Sequence, residues 1–436
     1  MNLNKFCLET LGCKANQYDG QSIREQFISR GYTEVASCQG ADIYIINTCT
    51  VTQTSDKKCR QKIKQAARLD PRPKIVVTGC YADRDKEELK DIKEVDFIFT
   101  NEQKHSIIDV ITNTSKRSQT EENIIETNTN EALWDKGISD FQGHNRAFIK
   151  VQDGCESFCT YCIVPYVRGK SRSKEPGLVK EEAVGLAKKG FKEIVLSGIH
   201  LGNYGKDLDN KPQLAALLKK IEAIPELARI RLSSIEPLEV VPELIEVIKN
   251  SSKVCNHLHL PLQSGDGQIL KRMNRPYTPQ QYLEVINNIK DQIKDVSLTT
   301  DILAGFPGED ERAFENTLGL IKEAGYSRIH AFGFSPRPGT AAFDFPQAVP
   351  DKVKAQRVKK VKELGVKTSL EYRKRFLGKK VYPLIESQRD KATGLLTGYT
   401  DTYIRVLLEG EDNLKNNIVP VKIVEVTEEK TIAEYL

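Results

Sequence analysis

Apolar and polar positions alternate along the first hundred residues in two different ways. Short apolar runs predict buried strands, whereas the stretches from Gln17, Gln53 and Asp83 carry apolar residues at helical spacing. The predicted strands are FCLETLG, IYIINTC, KIVVTGC and VDFIFT. Because strands that alternate with helices form parallel sheets with crossover helices, we expect an open parallel α/β sheet domain here.

A second series of strand and helix patterns begins at Arg146. Six apolar runs each end in Gly, Pro or polar residues, and a helical segment follows most of them. These runs are AFIKVQDG, EIVLSGIH, IRLSSIEP, HLHLPLQSG, SLTTDILAGFPG and RIHAFGFSPRPG. Six such units predict a parallel (βα)6 barrel, complete or partial, with its functional residues on the loops after the carboxyl ends of the strands.

The pattern changes again near the C-terminus. From about Arg373 the chain has the short strands VYPLIE, TGLLTGY, YIRVLLEG and VPVKIVEV without helices between them, which predicts a small antiparallel β-barrel. The polar stretch before Arg146 predicts a linker with one short helix around Trp134. We therefore expect domains at residues 1–112, 141–371 and 372–436, with a linker at 113–140.

Length and charge narrow the class of protein. A chain of 436 residues suggests about three domains. No leader pattern opens the sequence, and no apolar run approaches the roughly 20 residues that span a membrane, so we expect a cytoplasmic protein with no membrane partner. The formal charge is only +5, but residues 352–380 hold 12 Lys plus Arg against 2 Glu. Nothing in the sequence demands more than a monomer.

Three cysteines lie directly after the first predicted barrel strand. Cys155, Cys159 and Cys162 have Cys-x3-Cys-x2-Cys spacing, and soft thiolates favour iron–sulfur clusters or zinc. A structural zinc site usually needs a second Cys-x2-Cys arm, and the next cysteine, Cys255, is far along the chain. Three cysteines hold a [4Fe-4S] cluster with one iron open to a small molecule, which is the site we predict.

Cysteines also end three apolar runs of the N-terminal region. Cys13, Cys49 and Cys80 close the segments TLGC, INTC and VTGC. A single dispersed cysteine is usually a buried apolar residue. Three at the ends of parallel strands would meet at one edge of the sheet, so they predict a second cluster site that also has an open iron. We expect the remaining cysteines to be packing residues; they are Cys7, Cys38, Cys59 and Cys255.

The segment CESFCTYC resembles the signature of the radical S-adenosylmethionine (SAM) enzymes. The resemblance implies that the open iron binds the amino and carboxylate groups of SAM. One electron from the cluster would then cleave SAM to methionine and a 5′-deoxyadenosyl radical, which removes hydrogen from a substrate. Tyr161 would pack against the adenine of SAM, and the alternative role for its ring is ordinary loop packing.

Polar residues at other strand ends are candidates for binding SAM. Ser197 and Gly198 would help hold the methionyl part, although a Gly-rich loop also forms tight turns. Ser234 and Glu236 would bind the ribose hydroxyls or, alternatively, cap a helix.

The fourth predicted barrel strand contributes further candidates. Gln263 ends this strand and Arg272 lies beyond it, so both place polar groups at the same face. His257 and His259 alternate on the strand and therefore share one side. We expect these two to be hydrogen-bonded core histidines rather than ligands.

Two three-cysteine groups in this order resemble the methylthiotransferase family of radical SAM enzymes. The likeness covers almost the whole chain, in ETLGCKANQYDG, NTCTVT, VTGCYA, HLHLPLQSGDGQILKRMNRPYT and TTDILAGFPGE. TLGCKANQ is most similar to the branch that acts on N6-threonylcarbamoyladenosine beside the tRNA anticodon. The family implies two SAM molecules per turnover. One would methylate a sulfur on the open iron of the Cys13, Cys49 and Cys80 cluster, and the other would generate the radical that removes hydrogen from adenine C2.

The resemblance also implies partners. The terminal barrel resembles the TRAM module, and the basic residues at 352–380 would supply salt-dependent affinity for the tRNA anticodon stem-loop. Arg168 and Arg172 would meet the SAM carboxylate or an RNA phosphate, or remain surface charges. An electron donor such as flavodoxin or ferredoxin, and a sulfur source, are implied as well. The alternatives are methylthiolation of a ribosomal protein side chain or of isopentenyladenosine in tRNA, and, more remotely, a zinc-bearing RNA-binding protein.

Overall fold

The first region of the structure is a five-stranded parallel sheet with helices. The computed structural model describes residues 4–114 and 137–436, so the helix expected around Trp134 lies outside the described residues. The elements of this region are β1 (Lys5–Thr10), α1 (Lys14–Ser29), β2 (Thr33–Glu34), β3 (Ile43–Thr48), α2 (Gln53–Ala66), β4 (Lys74–Gly79), α3 (Cys80–Arg84), α4 (Lys86–Lys90), β5 (Phe97–Phe99) and α5 (Ile107–Thr114).

The strand order is β2-β1-β3-β4-β5, and every pair is parallel. Every residue of β3 is buried, as an apolar strand covered on both faces should be. Helix α1 begins at Lys14 rather than Gln17, because the Cys13 carbonyl already accepts the first helical hydrogen bond from the Gln17 amide at 3.0 Å. The open parallel α/β sheet that the sequence predicts is confirmed.

The central region is a partial barrel. Its elements are β6 (Arg146–Asp153), α6 (Val164–Arg168), β7 (Arg172–Ser173), α7 (Pro176–Lys188), β8 (Glu193–Gly198), α8 (Leu214–Glu222), β9 (Arg229–Leu232), α9 (Pro242–Asn250), β10 (His257–His259), α10 (Gly267–Arg272), α11 (Pro279–Gln292), β11 (Ser297–Ala304), α12 (Glu311–Ala324), β12 (Arg328–Gly333) and α13 (Asp351–Lys374).

Six parallel strands run in the order β6-β8-β9-β10-β11-β12. Ladders join β6 to β8 and β8 to β9, and also β10 to β11 and β11 to β12. A parallel bridge between Ser234 and His259 links the two sets. These are the six strands that the sequence predicts. Strand β7, which pairs antiparallel with β6, was not expected. The largest apolar core of the described residues lies between this curved sheet and its outer helices.

The basic run at 352–380 forms α13 and the turn after it. Arg357 on this helix is buried and donates to the Glu309 carboxylate at 2.8 Å. Part of the basic charge therefore holds the helix against the barrel, whereas Lys352, Lys362 and Lys367 are exposed.

The C-terminal region is a six-stranded sheet with a separate apolar core. Its strands are β13 (Lys380–Val381), β14 (Leu384–Ile385), β15 (Leu396–Tyr399), β16 (Arg405–Leu408), β17 (Val421–Val426) and β18 (Thr431–Tyr435). All pairs are antiparallel except β16 with β18. Strand β18 was not predicted. No helix in the described part of the chain is long and apolar enough to span a membrane.

Candidate active site

Three cysteines lie at the carboxyl ends of adjacent strands of the N-terminal sheet. Cys13 follows β1, Cys49 follows β3 and Cys80 follows β4. The chain leaves β1 towards β2 on one side and returns to β3 on the other, and ligands bind open α/β sheets at such a reversal of strand order. Gly12 keeps the first two cysteines close: its φ is +103°, and a Cβ there would lie 2.5 Å from the Cys49 Cβ.

The three thiols differ in exposure. Cys13 is exposed, whereas Cys49 and Cys80 are buried. Burial raises the pKa of Cys49 to about 11. Burial also raises the pKa of Cys80, although Arg168 and Lys104 oppose this rise. Thiolates at these positions therefore need a bound cation to stabilise them, as an iron–sulfur cluster would.

The second group of cysteines lies on the loop after β6. The His200 Nδ1 atom lies 3.5 Å from the Cys155 Sγ, and the Arg275 guanidinium donates to the Cys159 Sγ at 3.2 Å. Burial would raise the pKa of Cys155, but hydrogen bonds from His200 and Ser157 outweigh it and lower that pKa. Burial instead raises the pKa of Cys159, and it raises that of Cys162 to about 12, so within this group only Cys155 has neighbours that outweigh burial and favour the thiolate form.

One cysteine of the N-terminal group packs against residues that follow the second group, at the interface between the N-terminal sheet and the barrel. Cys80 packs against Ile163 and Val167, and Ile163 directly follows Cys162. The Asn101 side-chain amide reaches both sides, since it lies 3.7 Å from the Cys80 Sγ and donates to the Val167 carbonyl at 2.9 Å. No pattern in the sequence predicts that Asn101 lies here.

A buried ion cluster lies behind this interface. Asp19 accepts from Lys104 at 2.8 Å and from Lys150, and Asp153 accepts from Lys150 and Arg168 at 2.9 Å each. Burial alone would raise the pKa of Asp19, but Lys104 and Lys150 lower it below its usual range. Arg168 is therefore an internal ion-pair partner, and its expected roles at the SAM carboxylate, at an RNA phosphate or as a surface charge are wrong.

A cavity of about 650 Å³ lies against the inner face of the partial barrel. All three regions contribute to its wall, through Cys13 after β1, Ser234 after β9 and Tyr403 before β16. Phe332 on β12 also lines the cavity and is 49% exposed. The exposed cysteine of the N-terminal group therefore opens on the space that the barrel strands enclose.

One strand end connects this cavity with the second cysteine group. Ser234 lines the cavity, and two residues later Glu236 pairs with Arg275, which contacts Cys159. The residues after β9 thus reach from the cavity wall to the loop after β6.

The chemistry of both donor sets, three free thiols each, is compatible with iron–sulfur clusters. All six thiols are free of disulfides. Among residues 4–114 and 137–436, no three His, Cys, Asp or Glu side chains are close enough to share a single metal ion. A four-iron cluster requires a wider spacing of the cysteine sulfurs, because each cysteine binds a separate iron.

Comparisons with known proteins agree with this arrangement. The family model described as "Uncharacterized protein family UPF0004" matches residues 5–100, and that of the "Radical SAM superfamily" matches residues 149–321. A Bacillus subtilis protein called "Threonylcarbamoyladenosine tRNA methylthiotransferase MtaB" is 38% identical over 95% of this chain and 92% of its own length. The chain belongs to the radical SAM methylthiotransferase family. Its members use an iron–sulfur cluster and SAM.

Other relatives of this radical SAM methylthiotransferase carry two different names. The Thermotoga maritima MtaB protein is 38% identical over 91% of this chain and 90% of its own length. A Clostridium tetani protein called "tRNA-2-methylthio-N(6)-dimethylallyladenosine synthase" is 36% identical over 96% of this chain and 93% of its own length. The solved methyltransferase TsrM from Kitasatospora setae covers 79% of this chain and 77% of its own with a TM-score of 0.57; at 13% identity it shows the fold alone.

The predicted SAM-binding residues of this methylthiotransferase lie in different surroundings. The Tyr161 ring packs edge-on against Phe306 with centroids 6.4 Å apart, which fits the loop-packing alternative. Ser197 is buried in β8. A Cβ at Gly198 would lie 3.0 Å from the Gln152 side-chain oxygen, so this glycine serves close packing. SAM binding by these residues stays a prediction.

Glu236 does not cap a helix. It precedes a short helical turn without a capping side-chain hydrogen bond and pairs with Arg275 instead. Gln263 has a φ of +66°, and its backbone N–H donates to the backbone carbonyl of Asp301 in β11 at 2.9 Å. Arg272 lies over the Phe345 ring at 5.4 Å from its centroid. The structure thus spreads these polar groups over several loops.

His257 and His259 share one side of β10, as expected, but they line the cavity rather than the apolar core. Both rings lie within hydrogen-bond distance of the Thr299 hydroxyl, at 3.2 and 2.9 Å. Sequence reasoning missed His200 and Arg275, although His200 lies in the same Gly-rich segment as Ser197 and Gly198, SGIHLGNYG, and Arg275 lies in KRMNRPYT, which resembles the family. The cysteines without a strand-end role pack as expected, with Cys7, Cys59 and Cys255 buried and Cys38 packed against the apolar core of the N-terminal sheet.

Proposed function

We propose that this chain inserts a methylthio group at C2 of N6-threonylcarbamoyladenosine beside the tRNA anticodon, using two [4Fe-4S] clusters. The observation that carries the proposal is the cavity shared by Cys13 and the inner face of the barrel. A radical formed at the substrate must meet the sulfur donor before it meets solvent, so the reacting groups need one enclosed space.

The two cysteine groups would have different roles in this reaction. Cys155, Cys159 and Cys162 would hold the cluster that, with SAM bound, supplies the radical. Cys13, Cys49 and Cys80 would hold the cluster that carries the sulfur. The packing of Cys80 against Ile163, next to Cys162, supports this assignment, because the sulfur donor and the source of the radical need to lie close together.

RNA binding is assigned to the surface beside the C-terminal sheet. Lys352, Lys362 and Lys367 are exposed on α13, which leads into this sheet. Such cations supply sequence-independent, salt-dependent affinity for phosphates. The relatives named for tRNA substrates support the choice of RNA over a ribosomal protein.

Mass spectrometry of tRNA nucleosides tests the substrate. In cells that lack the modification, expression of the chain should convert threonylcarbamoyladenosine to its methylthio form. If only isopentenyladenosine or a ribosomal protein gains the methylthio mass, the substrate assignment is wrong.

A pair of cysteine variants tests the second cluster. Cys49→Ala should abolish methylthio product while SAM cleavage continues. Cys59→Ala is the matched control, because Cys59 is a buried thiol within the apolar core of the same sheet. Methylthio product from Cys49→Ala would contradict the assignment.

A further inference from the structure

The cavity at the inner face of the barrel carries an excess of cationic side chains. Its ionisable lining residues include Lys14, Arg146, Arg231 and Arg328, four histidines at 144, 257, 259 and 330, and the acids Asp301 and Glu386. A cavity with this composition favours an anionic occupant over an apolar one.

Two of the four cations are neutralised within the protein. Arg146 pairs with Glu386 at 2.6 Å, and Arg231 pairs with the buried Glu193 at 2.7 Å. Arg231 also donates to the carbonyls of Thr400 and Asp401 at 3.0 and 2.8 Å. These two arginines therefore hold the cavity wall together.

Lys14 and Arg328 are not neutralised in this way. Both side chains are exposed to the cavity, and neither makes a hydrogen bond or ion pair with any residue that the structure describes. Their charge nevertheless reaches the histidines of the wall. Burial lowers the pKa of His330, and Arg328 lowers it further. Burial likewise lowers the pKa of His257, with smaller contributions from cations that include Lys14. The wall thus combines two imidazoles whose neutral form is favoured, His257 and His330, with two cations that have no ion-pair partner among the described residues.

We propose that Arg328, assisted by Lys14, binds the carboxylate of the threonylcarbamoyl group and thereby selects this nucleoside. The inference rests on the proposed function. A threonylcarbamoyl group ends in a carboxylate, whereas an isopentenyl group has no polar atom. A guanidinium binds a carboxylate through two parallel hydrogen bonds. A site built for such a polar group rejects an analogue that lacks it much more strongly than an apolar pocket rejects an extra methyl group.

Binding of three anticodon stem-loop RNAs tests this role. Their purine carries a threonylcarbamoyl group, the same group as its neutral carboxamide, or an isopentenyl group. Fluorescence anisotropy with the full chain should show the carboxylate RNA binding about tenfold more tightly than the carboxamide, as expected for one charge-assisted pair. In Arg328→Met this ratio should fall close to one, while affinity for the carboxamide RNA changes less than twofold. That retained affinity also shows that the variant is folded.

Lys362→Met is the matched control, since Lys362 is exposed on α13 and does not line the cavity. The Lys362→Met variant should bind all three RNAs more weakly, by the same factor for each. The proposal is overturned if Arg328→Met behaves like Lys362→Met, if it keeps the wild-type ratio, or if the wild type shows no preference for the carboxylate. Nucleoside mass spectrometry distinguishes these results from failure of the proposed function, because the wild type would still methylthiolate threonylcarbamoyladenosine.

Discussion

Gly12 offers a sharp test of the N-terminal cluster site, because its backbone and its surroundings both exclude a side chain. Its φ of +103° lies in the region that favours glycine, and an L-residue with left-handed backbone conformation costs about 1 to 2 kcal/mol. An alanine Cβ would also stand 2.5 Å from the Cys49 Cβ and 2.8 Å from its Sγ. Carbon atoms in contact are normally about 3.5 to 4.0 Å apart, so Cys49 would have to move by about 1 Å.

We therefore expect Gly12→Ala to lose the proposed N-terminal cluster and to keep the one proposed at Cys155, Cys159 and Cys162. Two four-iron clusters give about eight irons per chain, and one gives about four. After anaerobic reconstitution, iron and acid-labile sulfide in Gly12→Ala should fall to about half of the wild-type content. SAM cleavage should continue, because the loop after β6 is untouched.

Gly31→Ala separates the clash from the backbone strain. Gly31 also has a positive φ, +85°, but a Cβ there meets nothing within 4 Å. This variant should lose some stability and keep its full iron content. A Gly12→Ala protein with undiminished iron would refute the reasoning that Cys49 is a ligand held in place by the absence of a side chain at position 12.

Three other variants probe the surroundings of the site. Arg275→Gln removes the donor 3.2 Å from Cys159 Sγ, so EPR-monitored titration should find the cluster potential about 40 mV more negative, the one-electron equivalent of about 1 kcal/mol; Arg275→Lys should shift it less. Asp19→Asn leaves buried cations undercompensated and should cost about 3 to 5 kcal/mol of unfolding free energy in urea at neutral pH. Because folding lowers the pKa of Asp19, its contribution is present above the unfolded value of about 4 and is lost as pH falls further, so the difference from wild type should shrink in acid. Thr278→Ala removes the capping box with Gln281 and should cost about 1 kcal/mol, whereas Thr278→Ser should retain most of it.

The strands that precede the cysteines could be predicted from the sequence, because each one corresponds to a short run of neighbouring residues. Each N-terminal cysteine ends an apolar run of about six residues, and such a run predicts a buried strand whatever the rest of the chain does. Parallel strands in one sheet end at one edge, so three strand ends predict one site. The same reasoning located all six barrel strands and the loop of Cys155, Cys159 and Cys162.

The sequence does not predict strand β18, because the local pattern of this segment is weak. The segment Thr431–Tyr435 is short and carries only a weak alternation, and it is specified by its pairing with β16 and β17. Pairing of this kind depends on residues elsewhere in the chain.

By itself, the sequence determined the order of the sheets, the two groups of cysteines and the family to which they belong. Only the tertiary structure decided that Arg168 is buried against Asp153, that Arg275 reaches Cys159, and that Arg328 faces a cavity with no ion-pair partner in the described part of the chain. A charged side chain looks the same in the sequence whether it ends in solvent, in an ion pair or in a cavity. Its role is fixed by burial and by partners that can lie far along the chain, as Cys159 does from Arg275, and local patterns contain neither.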